Sequence, residues 1–142
     1  MPARNPFPPV SLKTLFPDAQ IVGDDDIVVT HATERSDLVS PGVLFAAIPG
    51  TRRNGEEFAH DAVLRGAEAL LLSRELPDLP VPQCIVPDVR RAFALLCDAL
   101  VGRPSQSLTL AGVTGTNGKT TTTWMIRSIL RAAGYQTGLL GT

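Results

Sequence analysis

The chain has little that would tie it to an oxidising compartment, a membrane or a nucleic acid. Cysteine is scarce, with two in 142 residues. Cys84 and Cys97 have no second Cys or His nearby at metal-ligand spacing and lie in apolar segments, so both read as buried free thiols of a reducing, cytoplasmic protein. Long apolar runs are missing, and nothing approaches the roughly 18 residues needed to cross a bilayer. The first ten residues, Met1 to Val10, contain four prolines and lack the apolar core of a secretory signal. Excess charge is missing as well: 13 Lys+Arg against 14 Asp+Glu leave a formal net charge of -1. That balance supplies no positive field for a nucleic-acid backbone or an anionic membrane surface. His31 and His60 have no recognisable catalytic neighbours; His60, beside Asp61, reads as a surface residue. The triplet Asp24-Asp25-Asp26 reads as a solvated turn.

What remains is ordinary core material, with 44% hydrophobic residues and 19% charged, enough for an α/β domain. Ser11 to Phe16 forms a helical turn stopped by Pro17, and Ile27 to Thr33 is β-branched and reads as one strand. Val43 to Ile48 is continuously apolar, as a strand covered on both faces should be. Glu56 to Gly66 has helical spacing, with acidic residues in its first turn and a glycine stop. Ala69–Leu72 and Cys84–Val86 are short strand candidates. Asp88 opens a helix whose Val89, Ala92, Phe93, Leu96, Ala99 and Leu100 share a face. Gly102-Arg103-Pro104-Ser105 reads as a boundary. This order predicts an α/β sandwich with a largely parallel sheet.

The chemistry concentrates further on. Ser107–Ala111 reads as a buried-type strand, Gly112 to Lys119 as a glycine-rich turn, and Thr120 onward as a helix ending at Gly134. Strand, glycine-rich turn and helix N-terminus make a phosphate cradle, because curled backbone N–H groups need room that side chains would take. Lys119 is placed to reach outer phosphates, and the Thr120 hydroxyl to bind the Mg²⁺ that accompanies a nucleoside triphosphate. The usual phosphate-loop pattern requires glycine at 113; this chain has Val113, with glycines at 112, 115 and 118.

Gly112-Val-Thr-Gly-Thr-Asn-Gly-Lys-Thr-Thr-Thr-Thr123, followed by Gly134 and Gly138-Leu-Leu-Gly-Thr142, resembles the ATP-binding loop of the Mur ligases, the MurE type most of all. Upstream, Ser36, Pro41-Gly42, Leu44-Phe45, Gly50, Asn54-Gly55, Phe58 and Ala62 to Ala67 follow the pattern of that family's UDP-binding N-terminal domain. The resemblance implies a UDP-sugar-binding domain over residues 1–104 with a mixed or parallel sheet. It also implies the first strand, phosphate loop and helix of a central ATP-binding domain over residues 105–142.

For the sites, it implies that Thr114, Gly115, Thr116, Asn117, Gly118, Lys119, Thr120 and Thr121 hold the ATP phosphates. Lys119 would be catalytic and Thr120 a Mg²⁺ ligand, while Ser36, Thr51, Arg52 and Arg53 would meet the UDP part. Arg52 and Arg53 suit a diphosphate, and an exposed, solvated pair equally. Where the family shows Asp-Ser-Arg, this chain has Arg35-Ser36-Asp37, the charges exchanged about the serine.

The implied activity is ATP-dependent amide ligation. A diamino acid, meso-diaminopimelate or L-lysine, is joined through an acyl phosphate to UDP-MurNAc-L-Ala-D-Glu. A MurF-type ligase and a non-catalytic UDP-sugar or nucleotide-binding module are the alternatives. Two strands and one helix after residue 105 bury too little surface to stand alone. The expectation is therefore an N-terminal part of a longer ligase, inactive without the central and C-terminal domains.

Overall fold

The computed structural model describes residues 6–50 and 54–141. Its elements in chain order are β1 (Val10–Ser11), α1 (Leu12–Leu15), β2 (Gln20–Val22), β3 (Val28–Val29), β4 (His31–Thr33), β5 (Val43–Ala46), α2 (Ala59–Leu64), β6 (Ala67–Leu72), β7 (Gln83–Ile85), α3 (Val89–Leu100) and α4 (Lys119–Ala132). Short 3₁₀ turns sit at Ser36–Leu38, Gly55–Phe58 and Pro104–Gln106. The chain divides into two compact units, residues 1–107 and 108–142.

In the first unit a five-stranded sheet runs β2-β7-β6-β5-β4. The four strands β4 to β7 are mutually parallel and β2 closes the β7 edge antiparallel. The sheet is thus mixed, with the parallel portion the sequence predicts. β6 lies at its centre, which explains why a strand with apolar residues at both parities is stable there. Alternate residues feed opposite cores: Leu44, Ala46, Ala69 and Leu71 pack with Val89, Ala92, Leu96 and Leu100 of α3. Phe45, Ala47, Leu70 and Leu72 pack with Ala59 and Ala62 of α2. Fully burying one such leucine contributes about 2 kcal/mol.

Local chemistry sets the ends of these elements. Asp88 caps α3 by accepting from the Arg91 N–H at 2.9 Å, satisfying one donor that the first turn leaves free. The same helix stops on two successive left-handed residues, Gly102 (φ 78°) and Arg103 (φ 56°), which fits its reading as a boundary.

Three expectations need correction. Ile27 to Thr33 is not one strand: Val28–Val29 pairs antiparallel with Val10–Ser11 in a separate two-stranded sheet, while His31–Thr33 joins the main sheet beside β5. Cys97 is half-buried, unlike Cys84. The two strands expected after residue 105, at Ser107–Ala111 and at 137–140, do not form among the described residues. A strand needs a ladder partner for its N–H and C=O groups, and these segments have none; Leu108, Leu110 and Leu140 are 60%, 76% and 100% exposed.

Candidate functional site

Parallel strands place their carboxyl ends, and so the loops that follow them, along one edge, where α/β sheets bind ligands. That edge carries Arg35 and Ser36 after β4, Pro49, Asn54 and Gly55 after β5, Ser73 and Arg74 after β6, and the first turn of α3 after β7.

The segment after β5 is fixed at both ends. Pro49 and Asn54 form an isolated antiparallel bridge, and the Gly55 N–H donates to the Ile48 carbonyl at 3.2 Å. Asn54 caps the following turn: its side-chain oxygen accepts from the Glu56 N–H at 3.2 Å, while its own N–H donates to Glu57 Oε1 at 3.3 Å, a reciprocal capping box. From the far side Arg90 Nη2 donates to the Pro49 carbonyl at 2.9 Å. Thr51, Arg52 and Arg53 lie outside the described residues.

Next to Gly55 in the same turn is Glu56, whose side chain is 5% exposed. Its carboxylate accepts from Ser73 Oγ at 2.7 Å, Arg74 Nε at 2.8 Å and Asn54 Nδ2 at 3.3 Å. Burial alone would push its carboxyl up. The Ser73 hydroxyl and the Arg74 guanidinium outweigh burial and hold it below the usual range. Arg74 itself is 70% exposed, so it keeps a cationic face toward solvent at the carboxyl edge.

Ser36 opens the 3₁₀ turn after β4, and Asp61 on the nearby α2 is held below the usual carboxylate range chiefly by the Arg65 guanidinium. Across Ser36, Arg35 grips Asp37 with two hydrogen bonds, Nε to Oδ1 at 3.1 Å and Nη2 to Oδ2 at 2.6 Å. Asp61 accepts from Arg65 Nε at 2.8 Å. His60 is exposed and outside this cluster, while His31 Nδ1 lies 3.0 Å from Thr30 Oγ1.

In the second unit α4 starts immediately after Gly118, which takes φ 78° and offers no side-chain cap. The helix N-terminus therefore leaves N–H groups unpaired by any side chain of its own cap residue. Lys119 Nζ folds back to the Gly115 carbonyl at 2.6 Å, closing the glycine-rich turn on itself. Thr114, Gly115, Thr116, Asn117, Thr120 and Thr121 are all exposed around it. Thr123 Oγ1 turns inward to the Lys119 and Thr120 carbonyls, at 3.0 and 2.9 Å. A cavity of about 450 Å³ opens beside Lys119 and Thr120, with Val113, Trp124 and Arg127 in its wall.

At the backbone, nothing lies within 4 Å of where a Cβ would stand at Gly112 and Gly118, which leaves room for an anion to approach. For a divalent cation the fit is partial. No group of three His, Cys, Asp or Glu side chains could hold a metal among the described residues. Thr120 would supply one ligand only, with phosphate oxygens and water completing the shell.

Sequence reasoning missed Glu56, Arg74, Arg90 and Asp61. Glu56 shows in sequence only as an acid of a first helical turn. Arg90 reaches Pro49 across 41 residues, a separation that no local pattern reports.

Residues 113–142 match the Mur ligase middle domain. The UDP-N-acetylmuramoyl-L-alanyl-D-glutamate--2,6-diaminopimelate ligase of Geobacillus thermodenitrificans is 48% identical over 120 residues, 84% of this chain and 24% of the relative. That of Listeria monocytogenes is 43% identical over 118 residues, 83% of this chain and 24% of the relative. Among solved structures, MurF from Acinetobacter baumannii superposes with a TM-score of 0.69 at 26% identity, covering 89% of this chain and 28% of that one.

Residues 113–142 thus carry a Mur ligase family domain, and the chain over most of its length is similar to Mur ligases. The chain spans about a quarter of the length of the diaminopimelate ligases it matches.

Proposed function

We propose that this chain is the substrate-gripping and phosphate-gripping portion of an ATP-dependent carboxylate–amine ligase of the MurE type. Residues 1–104 hold the UDP end of UDP-MurNAc-L-Ala-D-Glu, with Ser36, Thr51, Arg52 and Arg53 as its contacts. Residues 105–142 begin the ATP-binding domain, with Thr114 to Thr121 around the phosphates. The observation that carries this reading is the 48% identity over 120 residues.

In the reaction, the D-glutamyl carboxylate attacks the γ-phosphorus of ATP, the bond to the bridging oxygen breaks, and ADP leaves. The amine of 2,6-diaminopimelate then attacks the acyl phosphate carbon, phosphate departs, and the nitrogen loses a proton to give the amide. Charge spreads over the γ-phosphoryl oxygens in the first step. Lys119 neutralises that charge once its ammonium exchanges the Gly115 carbonyl for a phosphate oxygen. Mg²⁺, where bound, adds further neutralisation, with Thr120 as its protein ligand. The glycines let backbone N–H groups approach without displacing side chains.

The likeness in shape to MurF ligases makes a MurF-type substrate the second reading. The higher identity to diaminopimelate ligases favours the first. Among the described residues no helix is long and apolar enough to cross a membrane, in keeping with a cytoplasmic setting for a nucleotide-linked substrate.

Calorimetric titration of the chain with UDP-MurNAc-L-Ala-D-Glu tests the reading. One-to-one binding is expected, with ATP alone binding more weakly because most of its domain lies beyond this segment of the relatives. Absence of any heat from the UDP-linked ligand overturns it.

A further inference from the structure

The exchanged charges about Ser36 are the feature that neither the site description nor the family resemblance explains. Arg35 and Asp37 do not sit as two independent surface charges. They are joined side to side by two hydrogen bonds, 3.1 and 2.6 Å long, in the parallel geometry that holds a guanidinium and a carboxylate planar to one another. The pair spans the residue whose hydroxyl matters. Backbone bonds tie the same turn down: the Arg35 N–H to Thr33 Oγ1 at 3.1 Å, the Leu38 N–H to the Arg35 carbonyl at 3.1 Å and the Val39 N–H to the Ser36 carbonyl at 3.3 Å.

On the other side of the turn the next helix, α2, carries its own ion pair, Asp61 with Arg65 Nε at 2.8 Å, so the Arg35–Asp37 pair is the only ion pair within the turn itself among the described residues.

We infer that Arg35 and Asp37 act as one clasp that fixes the turn carrying Ser36 and so directs its hydroxyl toward the uridine part of the substrate, and that neither member of the pair touches the ligand. The inference rests on the reading above that Ser36 lines the UDP site. Arg35 and Asp37 are then positioning residues: removing either releases the same turn, and removing both releases nothing more. Their exposure, 61% and 58%, means that the fold itself gains little from the pair.

The test compares Ser36→Ala, Arg35→Gln, Asp37→Asn and the Arg35→Gln/Asp37→Asn double variant in the whole chain. The dissociation constant for UDP-MurNAc-L-Ala-D-Glu and the unfolding midpoint are both measured. Ser36→Ala should weaken binding by roughly tenfold, the loss of one ligand hydrogen bond. Each clasp variant should weaken it by roughly threefold, and the double variant by no more than either single one. All midpoints should stay within about 2 °C of the parent.

If Arg35→Gln weakens binding while Asp37→Asn does not, Arg35 contacts the ligand itself and the clasp is wrong. Additive losses in the double variant overturn it equally. If the parent binds but Ser36→Ala binds as tightly, the placement of Ser36 falls and the clasp with it, while the UDP reading of the chain survives. A parent that does not bind at all removes that reading first.

Discussion

Replacing Gly55 by alanine tests the loop that the carboxyl edge is built on. A Cβ at this position would lie 2.5 Å from the Ile48 carbonyl oxygen, 2.6 Å from the Ala47 carbonyl carbon and 2.6 Å from the Ile48 nitrogen. Non-bonded carbon contacts are comfortable at about 3.5–4.0 Å, so the backbone must part by roughly an ångström. The obstructing atoms are main chain at the end of β5, where Ala46 and Ala47 are fully buried, and no rotamer change relieves them. The expected cost is about 3 kcal/mol, at the upper end of overpacking, or an unfolding midpoint lowered by roughly 10 °C. Gly42→Ala is the control. Gly42 has φ +88° but nothing within 4 Å, so it should lose only the about 1 kcal/mol of a left-handed alanine. Urea titration followed by far-ultraviolet circular dichroism measures both. A Gly55→Ala protein no less stable than Gly42→Ala would refute the close approach, and with it the pinned loop. If the loop is built as described, Gly55→Ala should also weaken binding of the UDP-linked substrate at temperatures where the chain remains folded.

Four further outcomes follow from single groups. Glu56 is held below the usual carboxylate range; its stabilising contribution is therefore complete above the unfolded value of ~4.3 and fades as pH falls through the lower folded value. Glu56→Gln should cost about 1–2 kcal/mol at neutral pH and abolish that acid-side slope in a pH series of urea midpoints. Asp88→Ala should lose about 1 kcal/mol by uncapping α3, read in the same assay. Burial pushes the Cys84 thiol up to about 11, whereas Cys97 is only half-buried. Iodoacetamide at pH 8 should therefore alkylate Cys97 first, and equal labelling by mass spectrometry would contradict the packing of β7. Lys119 is exposed and its side chain bonds the Gly115 carbonyl, so Lys119→Ala should leave the unfolding midpoint within about 2 °C while removing nucleotide affinity by fluorescence titration.

The elements most legible in the sequence are those whose residues serve one dominant requirement. β5 and β6 are apolar at both parities because both faces are covered, and α3 carries a cap, a stripe and a stop in the right order. β2 was illegible for a plain reason: Gln20–Val22 is three residues long and only becomes a strand by pairing with Cys84 and its neighbours. The break at Thr30 is likewise set by partners, since β3 and β4 answer to different sheets. Leu108 and Leu110 have strand-forming composition but no ladder to join, and composition alone does not make one.

The sites divide in the same way. The glycine-rich turn is local, so its residues and its helix could be read directly. The frame of the carboxyl edge is not local, since Glu56 meets Ser73 and Arg74 at separations of 17 and 18 residues. Such contacts follow from the β5–α2–β6 crossover and become visible only once that crossover is folded.

The most direct test of the account is amide-resolved NMR of the chain titrated with UDP-MurNAc-L-Ala-D-Glu. The resonances of Ser36, Asn54, Gly55, Arg74 and Arg90, spread over three loops and the first turn of α3 along one sheet edge, should shift together and saturate at one equivalent. Shifts confined to the opposite end of the strands, around Gly42 and Gly66, or none at all, would contradict the claim that this edge holds the nucleotide sugar.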